Sequence, residues 1–147
     1  SSSSDIPEAS FFEAPTVIHY KKDQVLAPHY DANRSADVED VNRGGQTLST
    51  LLLYLNEVPE GGTTRFGKLP AADYDRQVKG ESKLNIIPRK GDAVLFFPAD
   101  KNGVFDERLE HEGMPAVDEK WIARIWRHTD RVPPPFGLSS ESIKTHL

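Results

Sequence analysis

Apolar residues in this chain gather in short runs separated by glycine and proline. Five runs rich in Val, Ile, Leu, Phe, Tyr and Trp read as strands: residues 16–22, 47–56, 84–87, 93–97 and 120–128. They are punctuated by Gly44-Gly45, Gly61-Gly62, Pro88, Gly91-Asp92 and Pro98, the residue types that turns require. The run 47–56 is long enough for a buried helix. Thr47 and Thr50, and the turn-like Glu57-Val58-Pro59-Glu60-Gly61-Gly62 that follows, favour a strand entering a hairpin. Helical periodicity is scarce. Many short strands with Gly/Pro turns predict a mainly β domain of barrel or jelly-roll type with few or no helices.

The strand pattern divides the chain into a core over 16–130 and two flanks. Residues 1–15 are polar, with Pro7 and Pro15, and read as a tail or lead-in; residues 131–147 carry Pro133-Pro134-Pro135 and read as a loosely attached tail. Two polar segments inside the core, 33–45 and 68–83, are long enough to be lids, binding loops or surface insertions. Length and a hydrophobic share of 37% suit one domain with one modest core. No apolar run approaches the roughly 20 residues that span a bilayer, and no signal peptide pattern opens the chain, so no membrane partner is expected. A net charge of -5 argues against nucleic acid as a partner. The absence of cysteine excludes disulfides, thiolate zinc sites, iron–sulfur clusters and a thiol nucleophile.

The candidate chemistry begins at Ala27-Pro28-His29-Tyr30-Asp31. In an extended chain, residues two apart point to one face, so His29 and Asp31 can reach one cation together. Such a triplet is common by chance and needs a third ligand. Of the five histidines, His111, in Leu109-Glu110-His111-Glu112-Gly113 ahead of the Trp-rich strand, supplies one. Two imidazoles and a carboxylate suit a non-haem Fe(II) site with open positions, and equally a hydrolytic zinc site.

Order along the chain separates the two. The blocks "HYKKDQVLAPHYD", "GGQTLSTLLLYLNEVPEGGTTRF", "IIPRKGDAVLFFP" and "HEGMPAVDEKWIARIW" follow one another. In this succession the chain resembles the catalytic core of the prolyl 4-hydroxylase family of Fe(II)/2-oxoglutarate-dependent dioxygenases, from about residue 16 to 128. The resemblance implies a double-stranded β-helix, with Fe(II), 2-oxoglutarate and O2 as cofactor and co-substrates and ascorbate as a candidate accessory reductant. It implies a peptide or protein substrate hydroxylated at prolyl residues, with release of succinate and CO2. His29, Asp31 and His111 match the iron ligands. Lys120, Tyr20 and Thr50 match residues that bind the distal carboxylate of 2-oxoglutarate. Trp126 and His128 match the substrate end of the pocket.

Even-numbered residues of 120–128 share one strand face, which adds Arg124 to the substrate candidates; Trp121, Ala123 and Ile125 face the other way, towards packing. His19 faces away from Tyr20 and reads as structural. Leu26 and Thr47 stand where the better-known members have Tyr and Arg near the peptide. The substrate side therefore departs from the family more than the metal side, with Arg34, Arg43 or Arg124 available to compensate. The helices that usually precede this core are not in the sequence. A related oxygenase acting on another amino acid or a small molecule, and a non-catalytic metal- or peptide-binding β-helix, are the rival readings.

Overall fold

The computed structural model describes residues 7–34 and 43–144. Eight strands run β1 Thr16–Tyr20, β2 Leu26–His29, β3 Thr47–Tyr54, β4 Thr64–Pro70, β5 Lys83–Ile86, β6 Ala93–Phe96, β7 His111–Gly113 and β8 Lys120–His128. Among the described residues one α-helix, α1, covers Ser140–Lys144, and 3₁₀ turns cover Glu8–Phe11 and Glu107–Leu109. The strands form two four-stranded sheets, ordered β1-β8-β3-β6 and β2-β7-β4-β5, with every pair antiparallel. This is the expected double-stranded β-helix.

The core lies between the sheets. Leu52, Tyr54, Phe96 and Ile122 come from the first, Phe66 and Ile86 from the second. Tyr54 buries its ring there because its hydroxyl has a partner, Thr64 Oγ1 at 2.8 Å. Along β3, Thr50, Leu52 and Tyr54 alternate inward as a half-buried strand requires. Thr47 breaks that parity and is also buried. A register shift between Thr47 and Ser49 leaves one extra residue in β3 opposite β8, and this bulge turns Thr47 to the inner side, paired with His128.

Five of the eight strands coincide with sequence-predicted runs. The three missed, β2, β4 and β7, all belong to the second sheet and are short or polar. Residues 68–70 finish β4, and the loop beyond them is tied down. Buried Gln77 bonds the backbone at Ala72, Val78, Lys83 and Asn85, and Arg76 Nε donates to Asp92 at 2.7 Å. The described parts of the flanks are hydrogen-bonded to the fold. Glu13 N donates to Trp126 O, so residues 12–13 run beside the edge of β8, and Val132 N donates to Ser10 O and Ala14 N to Phe136 O, so residues 132–137 run beside residues 10–14. The outward face of β8 is a surface rather than a packed layer: Trp121 is 38% exposed and stacks on His19 at 3.9 Å, while His19 Nε2 meets Glu119 at 2.7 Å.

Candidate metal centre and co-substrate cavity

β2 ends on His29 and β7 begins on His111, and the two residues are directly paired across the antiparallel ladder. Asp31 follows two residues after His29, so strand pairing alone brings the three groups together. Their ligand atoms all lie within 4.8 Å of one another. His29 Nε2 and His111 Nε2 stand 3.5 and 3.6 Å from the same oxygen, Asp31 Oδ1. The Nδ1 atoms turn away to backbone carbonyls, Ala27 O at 2.8 Å and Leu109 O at 3.0 Å. A carbonyl can only accept, so each Nδ1 carries the proton and each Nε2 directs a lone pair at the centre. Asp31 divides its two oxygens similarly. Oδ2 accepts from Thr50 Oγ1 at 2.8 Å and Trp126 Nε1 at 3.3 Å, which leaves Oδ1 free to face the histidines.

The electrostatics fit a cation. Burial pushes the Asp31 carboxyl upward, but the adjacent His29 and His111 rings and the Thr50 hydroxyl outweigh it and hold the group below its usual range. Burial lowers His111. The Asp31 carboxylate beside it raises His29. Two neutral-capable imidazoles and an ionised carboxylate on one side of a point form a donor set for a divalent ion with open positions opposite.

A cavity opens beside this centre, lined by Ile18, Tyr20, Leu52, Thr64, Lys120 and Arg124 as well as the three ligands. Lys120 sits at its far end. The residue is 4% exposed, and Nζ donates to Gly62 O at 2.6 Å. That carbonyl is available because Gly61 and Gly62 turn with φ of 72° and 65°, a conformation that favours glycine. The ammonium also lies over the Tyr20 and Tyr54 rings, at 5.1 and 6.0 Å. No carboxylate pairs with it among the described residues; besides Asp31, the acidic residue that lines the cavity is Glu112, which is held by Arg65 at 3.3 Å. Burial without a counter-ion pushes Lys120 down to about 8.

Thr50 is not part of this cavity. It was expected at the distal carboxylate, but its hydroxyl is given to Asp31, because its position opposite Trp126 in the β3–β8 register carries it to the metal end. Beside Tyr20, the hydroxyl residue that lines the cavity is Thr64, which sequence reasoning missed; its signal was the Thr63-Thr64 pair after Gly61-Gly62. Arg124 lies on the cavity side of Asp31. Trp126 and His128 line a second cavity on the other side, with Glu13, Tyr30, Asn33, Arg43 and Thr47. There His128 Nε2 meets Glu13 Oε1 at 3.1 Å, both buried. Leu26 borders the first cavity, so the departures at Leu26 and Thr47 fall on opposite sides of the centre. Gln46, 2% exposed, bonds Asn33 through both its backbone N and O and also reaches Gly103, which fixes the chain just after Asp31. Of the cations proposed to compensate, Arg34 lies 5.3 Å over the Tyr30 ring and Arg43 4.3 Å over Phe136. Most of the candidate lid 33–45 lies outside the described residues.

A double-stranded β-helix with two imidazoles and one carboxylate beside an internal cavity defines the non-haem iron oxygenase class. Comparison with known proteins narrows it. Residues 15–128 match the model of the 2OG-Fe(II) oxygenase superfamily, and the chain belongs to that family. It is 37% identical over 122 residues to probable prolyl 4-hydroxylase 6 of Arabidopsis thaliana, covering 79% of this chain and 42% of the relative. It is also 37% identical over 111 residues to prolyl 4-hydroxylase 1 of the same plant, covering 75% and 38%. Among solved structures it resembles the viral collagen prolyl hydroxylase of Paramecium Bursaria Chlorella virus-1 in its 2OG complex, with TM-score 0.63 and 31% identity, over 80% of this chain and 59% of that one. A Pseudomonas putida prolyl-4-hydroxylase shares the fold, with TM-score 0.54 and 22% identity, over 85% and 57%. The chain thus spans less than half the length of the curated relatives it matches.

Proposed function

We propose that this chain is the catalytic core of an Fe(II)- and 2-oxoglutarate-dependent hydroxylase acting on prolyl residues of a peptide or protein. The observation that carries the reading is one cavity with a two-histidine, one-carboxylate centre at one end and a buried lysine without an anionic partner at the other. Such a cavity is matched by a dicarboxylate whose one end chelates a metal. A hydrolytic zinc site, or a module that only binds metal, has no use for the lysine.

His29, Asp31 and His111 would hold the iron. Bound there, the iron would supply O2 activation coupled to conversion of 2-oxoglutarate to succinate and CO2, one oxygen atom going to succinate and the other to a C–H bond of the substrate. The protein groups orient and shield this chemistry. Lys120 would pair with the distal carboxylate, with the Tyr20 hydroxyl and Thr64 as neighbouring donors, and the pairing compensates the desolvation of both charges. Thr50 and Trp126 would fix Asp31 through its second oxygen and so keep one oxygen on the metal. The apolar Ile18, Leu52 and Ile122 keep the cavity dry. On the far side of Asp31, Trp126 and His128 would border the substrate, with Glu13 orienting the His128 ring. No general base is needed, because the substrate loses a hydrogen from carbon rather than a proton to a side chain.

The names of the relatives support a prolyl substrate, and the Leu26 and Thr47 departures bear on its sequence context. The test is a panel of proline-containing peptides, free proline and other free amino acids, with succinate release and product mass measured together. A 16 Da gain on a prolyl peptide, in step with succinate, is expected. Succinate release with every prolyl peptide unmodified and another compound hydroxylated would overturn the substrate assignment; no succinate under any condition would overturn the enzymatic reading.

A further inference from the structure

The co-substrate cavity holds a second cation. Arg124 lies two same-face steps beyond Lys120 on β8 and lines the same cavity. Its guanidinium is stacked on Trp126, with Cζ 3.6 Å from the ring centroid. Among the described residues no hydrogen bond or ion pair is made by its N–H groups. A half-buried guanidinium, fixed by stacking and with its donors unmatched, is arranged for a planar anion.

Strand register decides which end of the co-substrate it meets. Lys120 pairs with Tyr20 across β1, at the far end of the cavity. Arg124 pairs with Leu52 across β3, one same-face step before Trp126, whose Nε1 donates to Asp31. Four residues at about 3.3 Å each separate the backbone positions of Lys120 and Arg124 by roughly 13 Å. Arg124 is therefore at the metal end. Asp31, Glu13, Tyr20 and His29 are anionic or ionisable groups near it, and Arg43 is a nearby cation. A chelating 2-oxo acid brings one carboxylate to that end, and 2-oxoglutarate brings a second to Lys120.

We propose that Arg124 is a further co-substrate-binding residue that holds the metal-end carboxylate of the 2-oxo acid, so that Lys120 and Arg124 each hold one end of a dianion. The proposal rests on the co-substrate reading given above. It removes Arg124 from the substrate residues, where its strand parity had put it.

The test is calorimetric binding to the full chain loaded with Mn(II), which is held without turnover in the absence of O2. The ligands are 2-oxoglutarate and 2-oxobutyrate, which shares the chelating end and lacks the distal carboxylate. Arg124→Gln should weaken both by the same factor, about 10- to 100-fold for a lost charged hydrogen-bond pair. Lys120→Met should weaken only 2-oxoglutarate, to the level of 2-oxobutyrate. Arg124→Lys, which keeps the charge, should weaken both equally but less, and it serves if the Gln variant fails to fold. Unchanged affinities in the Arg124 variants would reduce Arg124 to a stack on Trp126. Loss confined to 2-oxoglutarate would move it to the distal end. Either result overturns the proposal. If the unaltered chain binds the two oxo acids alike, the co-substrate reading itself falls, and the Arg124 proposal with it.

Discussion

Replacing Lys120 by Met should make the ligand-free protein more stable and the co-substrate complex weaker. Without co-substrate, Lys120 is a buried ammonium whose one direct acceptor is a backbone carbonyl, and burial lowers it from the ordinary 10.5 to about 8. A group bound less tightly by protons in the folded state costs stability below the folded value. The unfolded chain holds more protons between about 8 and 10.5, so stability rises with pH across that window, and the full penalty applies below it. At neutral pH the penalty is roughly 3 kcal/mol. Met has a similar length and no charge. It removes the penalty and loses the bond to Gly62, a hydrogen bond to a charged group contributing about 1.5–3 kcal/mol. The net is a gain of about 1 kcal/mol or a little more, a rise of a few degrees in Tm.

With 2-oxoglutarate bound the sign reverses. A distal carboxylate left without its lysine forfeits about 3–5 kcal/mol, which is roughly a 150- to 4,000-fold loss of affinity. The pH profile adds a second signature. Affinity in the unaltered protein should fall as pH rises past about 8, where free Lys120 loses its proton, whereas Lys120→Met should be flat there. Differential scanning calorimetry without ligand, and titration with 2-oxoglutarate from pH 6.5 to 9.5, measure both. A lower Tm for Lys120→Met together with unchanged 2-oxoglutarate affinity would refute the reasoning at both steps.

Removing either imidazole should abolish tight divalent-metal binding, but with different structural costs. His29 is partly exposed, so His29→Ala should leave Tm nearly unchanged; the His111 ring packs within 5.3 Å of Phe66 and 4.9 Å of Phe96, so His111→Ala should also cost roughly 2–4 kcal/mol. Metal titration and thermal unfolding of the two variants separate these effects, and retained Fe(II) affinity in His111→Ala would remove it from the ligand set. Thr50→Val should weaken metal binding about 10- to 100-fold by releasing Asp31 Oδ2, while 2-oxoglutarate affinity at saturating metal stays close to the original. A selective rise in the 2-oxoglutarate requirement would return Thr50 to the cavity. Gly61→Ala should destabilise by more than 1 kcal/mol in chemical denaturation, since φ is 72° and an added Cβ would collide with Pro115 O; a neutral result would mean that the turn carrying the Lys120 acceptor is pliable.

The sequence by itself determined the first sheet and offered the donor set proposed for the metal. Imidazole and carboxylate two residues apart, a distant histidine and no cysteine restrict the cations that fit, and these features are chemical and local. β1, β3, β6 and β8 could be read because each is a run of β-branched or large apolar residues. β2 and β7 could not: they are four and three residues long, and Leu-Ala-Pro-His and His-Glu-Gly hold no apolar alternation. Their strand character comes from pairing, β2 with β7 and β7 also with β4, and the β2–β7 pairing is what sets His29 opposite His111. Parity along a strand put Arg124, Trp126 and His128 on one face correctly, yet that face runs past Asp31 and serves two cavities. Only the fold assigns a residue to one or the other. Thr50 and Thr64 are alike in sequence terms, and the difference between a hydroxyl on the metal ligand and one in the cavity is a matter of inter-strand register. The bulge at Thr47 makes the same point, because one unpaired residue reverses which side of a strand faces inward, and strand composition carries no mark of it.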